Sequence, residues 1–102
     1  MAIHQTATYQ IKPQAVEKVK RAIEEFVKYV RANEPGTQMY VAWQQHDDPT
    51  RFIHLFIFKD AAAQTIHSES DAVKHFEEVY SPELVGGDVV FTDYDLVATN
   101  QR

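Results

Sequence analysis

Residues 51–58 read RFIHLFIF, and the two sides of this segment decide how the chain must fold. The run is rich in aromatic and β-branched residues, the composition of a strand. Side chains alternate along a strand, so Phe52, Phe56 and Phe58 lie opposite Ile53, Leu55 and Ile57, with His54 interrupting the aromatic side. A strand that is apolar on both sides must be covered on both. In a chain of 102 residues, two helices can cover only one face of a sheet. The other face would leave large apolar side chains in water, and a second copy of the chain is the simplest cover. A homodimer is therefore expected.

Before this strand, TQMYVAWQQH (37–46) has similar strand character, and the pair flanks the turn DDPT, so the two read as a hairpin. Pro49 presets one turn dihedral and Asp48 can bond back to the turn backbone, so these acids need no metal to explain them. Residues 3–11 alternate Ile3, Ala7, Tyr9 and Ile11 against His4, Thr6, Thr8 and Gln10, a half-buried strand. Pro13 suits a first helical turn, and Val16, Val19, Ile23, Phe26, Val27 and Val30 follow at helical spacing. Glu17 with Arg21 and Glu24 with Lys28 support the exposed side of that helix. NEPG (33–36) ends it, because Pro35 disfavours helix at Glu34 and Gly36 accepts a turn.

After residue 58, Asp60 is a helix cap for AAAQTIH, and Ser70 with Asp71 starts a second helical segment through AVKHFEEVY. SPELVGG (81–87) breaks it, and DVVFTDYDLVA (88–98) gives a last strand with Val90, Tyr94 and Leu96 in phase. The order strand, helix, strand, strand, helix, strand predicts an α+β ferredoxin-like split β-α-β fold with a four-stranded antiparallel sheet, one domain over residues 1–102.

The formal net charge of -5, with ten Lys plus Arg, repels phosphate backbones and anionic lipid, so neither nucleic acid nor membrane is an expected partner. No stretch approaches the ~20 apolar residues of a membrane span. With no cysteine and no apolar leader in MAIHQTATYQ, a reducing cytoplasm is the expected setting. The glycine pair Gly86-Gly87 is no phosphate-cradling loop, so no nucleotide cofactor is expected. His4, His46, His54, His67 and His75 are scattered without the i, i+4 pairing of helical metal ligands, so no metal is expected either.

Two histidines carry the chemical interest. Ile66 and the alanines around it are expected to face the sheet, which puts His67 at the edge of that interface, where an imidazole can exchange a proton near neutral pH. A plain satisfied histidine is the competing reading. His54, on an aromatic strand side, must find a polar partner or line a cavity. Tyr40 and Trp43 of the neighbouring strand point to opposite faces, so one of them shares the side of His54. His75, among Lys74, Glu77 and Glu78, reads as part of a solvated face.

FKDAAAQTIHSESDAVKHFEEVYSPEL (58–84) resembles the antibiotic biosynthesis monooxygenase superfamily, small dimeric α/β-barrel proteins. Phe58, Asp60, Ala62 or Ala63, His67, Ser70 and Phe76 match its strand-end aromatic, acid, small residue, histidine, serine and aromatic. The resemblance implies two sheets paired face to face. It also implies oxidation of a phenol- or quinol-type compound by molecular oxygen without metal or flavin, the deprotonated substrate itself reducing oxygen. On that reading His67 is the catalytic candidate, as proton acceptor or substrate orienter, and His54, Trp43, Phe58 and Phe76 are the substrate-binding candidates. Phe56 stands where many relatives carry a glutamate. The haem-degrading branch needs a strand-one asparagine, a tryptophan and a histidine, and the last two places hold His67 and Glu77, which disfavours haem degradation. The alternatives are a non-catalytic barrel holding a small apolar ligand, and an isomerase using the same pocket.

Overall fold

The strand RFIHLFIF becomes β3 (Arg51–Phe58), an inner strand of a four-stranded antiparallel sheet. In the computed structural model, which describes residues 1–101, the elements follow in the order β1 (Ile3–Ile11), α1 (Val16–Asn33), β2 (Thr37–Gln44), β3, α2 (Ala61–Ser68), α3 (Asp71–Tyr80) and β4 (Leu84–Tyr94). Arg102, the end of the expected domain, lies outside the described residues. The sheet order is β2-β3-β1-β4. This is the α+β ferredoxin-like fold.

Residues directly opposite one another in an antiparallel pair share a face. Tyr9 pairs with Phe52, Ala7 with His54, and Gln5 with Phe56, while on the other side of β3 Tyr40 pairs with Phe56 and Ala42 with His54. That face meets the helices. Val19, Ile23, Phe26 and Val30, spaced four, three and four along α1, are all buried against Tyr9, Ile11, Phe52 and Phe76. Each such side chain contributes about 1.5–3 kcal/mol by leaving water. The helix starts follow local chemistry: Asp60 accepts from the Ala63 N–H (2.9 Å) and Ser70 from the Val73 N–H (3.1 Å), capping α2 and α3. In the hairpin turn, Asp48 accepts from the backbone N–H and hydroxyl of Thr50 and from Arg51, and these bonds hold its carboxyl below the usual carboxylate range.

The opposite face carries Ile53, Leu55 and Ile57, half-buried, beside Trp43 and Val90, which are more than half exposed. Among the described residues nothing covers it fully.

Two boundaries depart from expectation. The helix ends at Tyr80 as expected, but β4 starts at Leu84 rather than residue 88 and ends at Tyr94 rather than residue 98. Gly86 (φ 77°) and Gly87 (φ 117°) take the left-handed region open to glycine, and the register with β1 jumps from Thr8↔Val90 to Gln10↔Val85 across them. The glycines bulge the strand instead of ending it. The second departure is the face of α2: Ile66 is 62% exposed, and Ala63 and His67 are the residues turned inward.

Candidate active site

A cavity of about 300 Å³ lies between the helix-facing side of the sheet and α1, α2 and α3. Phe26, Phe56, Phe58, Phe76 and Val89 form its apolar walls, and exposed Ser68, Glu77 and Phe91 stand at its mouth. The walls are tightly stacked, with Phe26 and Phe76 ring centroids 5.1 Å apart and Phe58 5.1 Å from the ring of His67. Beside Gln5 and Tyr80, two buried polar groups interrupt this lining.

The first begins at the end of α1. Pro35 stops the helix, and Glu34 folds inward to 4% exposure. At Gly36 a Cβ would stand 2.6 Å from the Cβ of Ala63, so only glycine lets α2 come this near. One helical turn beyond Ala63, His67 brings Nδ1 to 2.7 Å from Glu34 Oε1. The hydroxyl of Thr37 donates to the same oxygen at 2.9 Å, while Glu34 Oε2 is buried with no partner among the described residues. A carboxylate only accepts, so the proton on neutral His67 sits at Nδ1 and the lone pair at Nε2. Nε2 takes no hydrogen bond from the described residues, and the ring lines the cavity. The arrangement is an oriented imidazole able to take a proton and to form an ion pair with Glu34 when it does.

The second polar group is a buried chain. His54, 1% exposed, meets the Tyr9 hydroxyl at Nε2 (2.7 Å) and the Tyr40 hydroxyl at Nδ1 (2.6 Å). Desolvation pushes the His54 pKa down to about 4, so it is neutral at neutral pH. Burial, aided by neighbouring Tyr40 and Tyr80, pushes Tyr9 well above the usual phenol range, and burial, aided by Tyr80 and Glu34, does the same for Tyr40. Tyr80 is pushed up to about 12, by burial first and then by Glu77. All three phenols keep their protons.

Sequence comparison places residues 2–79 within the model of the antibiotic biosynthesis monooxygenase family. The chain belongs to that family. Solved structures share the fold throughout: a candidate antibiotic biosynthesis monooxygenase from Bacteroides thetaiotaomicron superposes with a TM-score of 0.89 at 18% identity, covering 99% of this chain and 94% of its own. A candidate from Caulobacter crescentus gives 0.86 at 22% identity, covering 95% and 91%. A further structure described as an antibiotic biosynthesis monooxygenase gives 0.85 at 24%, covering 96% and 100%. No curated protein matches the sequence.

Within this family fold, the structure brings His67, His54, Phe58 and Phe76 together around one cavity. Trp43 is elsewhere: the register pairs it with Ile53, on the outer face, where it is 57% exposed. Tyr40 stands on the side of His54 in its place. Glu34, a plain helix end in the sequence, and Tyr9, a plain core position, join the site without a sequence signal. The sequence predicts Ile66 facing the sheet and His67 at the edge, whereas in the structure Ala63 and His67 face inward, with Ala63 close against Gly36. His75 is exposed on α3, as its charged neighbours suggest. Among the described residues no group of three His, Asp or Glu could hold a metal ion, and no helix is long and apolar enough to cross a membrane.

Proposed function

We propose that this family member oxidises a small phenol- or quinol-type aromatic compound with molecular oxygen, without a cofactor, and that His67 is the proton acceptor. The observation that carries the reading is the buried Glu34–His67 pair with Nε2 unengaged on an apolar, ring-walled cavity. Its volume of about 300 Å³ is at the small end of ligand sites, the size for a compact aromatic. Phe58 and Phe76 pack the ring, and Nε2 takes the phenolic proton. The phenolate is electron-rich enough to pass an electron to oxygen, and recombination forms a carbon–oxygen bond. The peroxide anion so formed takes back the proton held by His67, and cleavage of its O–O bond with loss of the ring C–H proton expels water and leaves a quinone. The sum is phenol plus O2 giving quinone plus water: the ring loses four electrons, and one oxygen atom stays on it while the other leaves as water. No external reductant is required.

Two copies pairing through the outer faces of their sheets complete the proposal. Ile53, Leu55, Ile57 and Trp43 give that face the apolar surface a partner would cover. A cytoplasmic setting fits a chain without cysteine.

The test is oxygen uptake, with anaerobic controls, across a panel of phenols and quinols, comparing wild type with His67→Ala. A general base contributes about 10²–10⁴-fold, so the variant should lose most of the turnover. Equal turnover by both proteins removes His67 from the mechanism. A compound retained in native mass spectrometry without any oxygen consumption would favour a binding protein. Deuterium exchange into the compound without oxygen uptake would favour an isomerase.

A further inference from the structure

We infer that Tyr40 is the hydrogen-bond donor that holds the substrate's phenolate oxygen once His67 has taken its proton, with Tyr9 and His54 fixing the direction of that hydroxyl. The inference rests on the reading of the cavity as a phenol site, and it assigns a role to the one buried polar chain that the proton transfer to His67 does not use.

Two phenols and one neutral imidazole bring three protons to a chain with only two internal hydrogen bonds, Tyr9–His54 and His54–Tyr40. A neutral imidazole accepts at one nitrogen and donates at the other. One tyrosine therefore donates to His54, the other accepts from it, and the accepting tyrosine keeps an O–H that the chain cannot use. The chain is a donor one proton in excess, set in an apolar cavity where an unpaired hydroxyl is costly.

Position chooses which tyrosine carries it. Tyr9 is stacked between Phe52 (5.6 Å) and Tyr80 (5.5 Å). Tyr40 lies between the two polar centres, its ring 5.6 Å from that of His54 and 5.7 Å from that of His67. A ligand oxygen at His67 Nε2 is thus next to Tyr40. It selects the tautomer in which Tyr9 O–H donates to His54 Nε2, His54 Nδ1–H donates to Tyr40, and the Tyr40 O–H points to the ligand. Because burial keeps all three groups neutral at neutral pH, Tyr40 donates a hydrogen bond without surrendering its proton. His67 and Tyr40 then form a matched acceptor and donor for one oxygen atom, which changes from phenol to phenolate between them. Tyr40 would touch the substrate; Tyr9 and His54 are positioning residues.

The remaining ionisable groups facing this oxygen are Glu34 behind His67, Tyr80 on α3, and Glu77, exposed at the mouth. The Glu77 carboxylate opposes a phenolate, but from a solvated position where its field is screened.

The experiment uses 4-nitrophenol, whose phenolate absorbs visible light and whose ring is too electron-poor for the oxygen reaction. Titration of the bound probe should show ionisation at a lower pH than for the free probe. A hydrogen bond to a charged group corresponds to about a 10–100-fold change in ionisation constant, so Tyr40→Phe should move the bound titration up by about one to two pH units. Tyr9→Phe, which frees the far end of the chain, should move it by less. In wild-type protein labelled with 13C at tyrosine Cζ, the Tyr40 resonance should shift on probe binding while that of exposed Tyr29 stays fixed, a readout that does not depend on a variant folding. A bound titration unchanged by Tyr40→Phe, or an unmoved Tyr40 resonance, overturns the inference even if quinols are oxidised. A shift in both, without oxygen uptake from any quinol, leaves the inference standing and defeats the oxidation reading. A probe that does not bind at millimolar concentration overturns the phenol site altogether.

Discussion

Gly36→Ala should undo the Glu34–His67 pair from a position whose added Cβ meets neither of its members. The new Cβ would lie 2.6 Å from the Cβ of Ala63, about 1 Å inside the ~3.5–4.0 Å at which carbon atoms rest. Neither atom belongs to a flexible side chain, so α2 must back away. Such overpacking costs about 1–3 kcal/mol. Against it stands about 0.4–1 kcal/mol gained by restricting the unfolded chain, since Gly36 is not in the left-handed region and alanine fits its backbone. The net loss of about 1–2 kcal/mol corresponds to a Tm lower by about 5–15 °C for a domain of this size. Retreat of α2 by about 1 Å also carries His67, on the same helix face as Ala63, beyond its 2.7 Å contact with Glu34. The assay is thermal unfolding at fixed protein concentration of wild type, Gly36→Ala, Ala63→Gly and the double variant. Ala63→Gly alone should cost about 1 kcal/mol through helix propensity. The pair should cost less than the sum, because the second change removes the clash made by the first. A Gly36→Ala protein as stable as wild type, or strict additivity in the pair, would refute the close approach as the determinant of α2 placement.

Two further outcomes follow from the same structure. Unfolded His54 takes up a proton as pH falls past about 6.5, whereas folded His54 resists until about 4, so the unfolded state binds more protons in that window and stability drains as pH drops through it. The increment, about 3 kcal/mol, is fully present above the window; urea unfolding from pH 7 to pH 4 should show it in wild type and not in His54→Leu, and parallel pH profiles for the two proteins would contradict the burial argument. Leu55→Arg, on the uncovered face, should convert a dimer to a monomer in sedimentation equilibrium; a wild-type monomer at micromolar concentration, or a variant that still pairs, counts against pairing through that face.

The fold was legible in the sequence because its determinants are local and periodic. β3 announces itself by composition, α1 by Val19, Ile23, Phe26 and Val30, and the caps of α2 and α3 by Asp60 and Ser70. The site was legible only where a residue broke its own pattern, as His54 does among phenylalanines. Glu34 broke no pattern, since an acid before Pro-Gly at a helix end is ordinary on a surface, and the partner it turns toward, His67, lies 33 residues on in sequence. The choice between Tyr40 and Trp43 turned on register, and an irregularity between Thr37 and Met39 sets the pairing of β2 with β3. The bulge at Gly86 and Gly87 was hidden for a related reason: two adjacent glycines signal a turn equally well, and the resumption of pairing is visible only with β1 alongside.

The proposed chemistry requires Glu34 to hold neutral His67 with its Nε2 free to meet a phenol, and nitrogen-15 NMR of histidine-labelled protein measures this directly. In the free protein with the imidazole neutral, the His67 signals should show a protonated Nδ1 and a bare Nε2, and on addition of 4-nitrophenol Nε2 should move toward the protonated position. A proton on Nε2 in the free protein, or an Nε2 signal indifferent to bound phenol, would contradict the account.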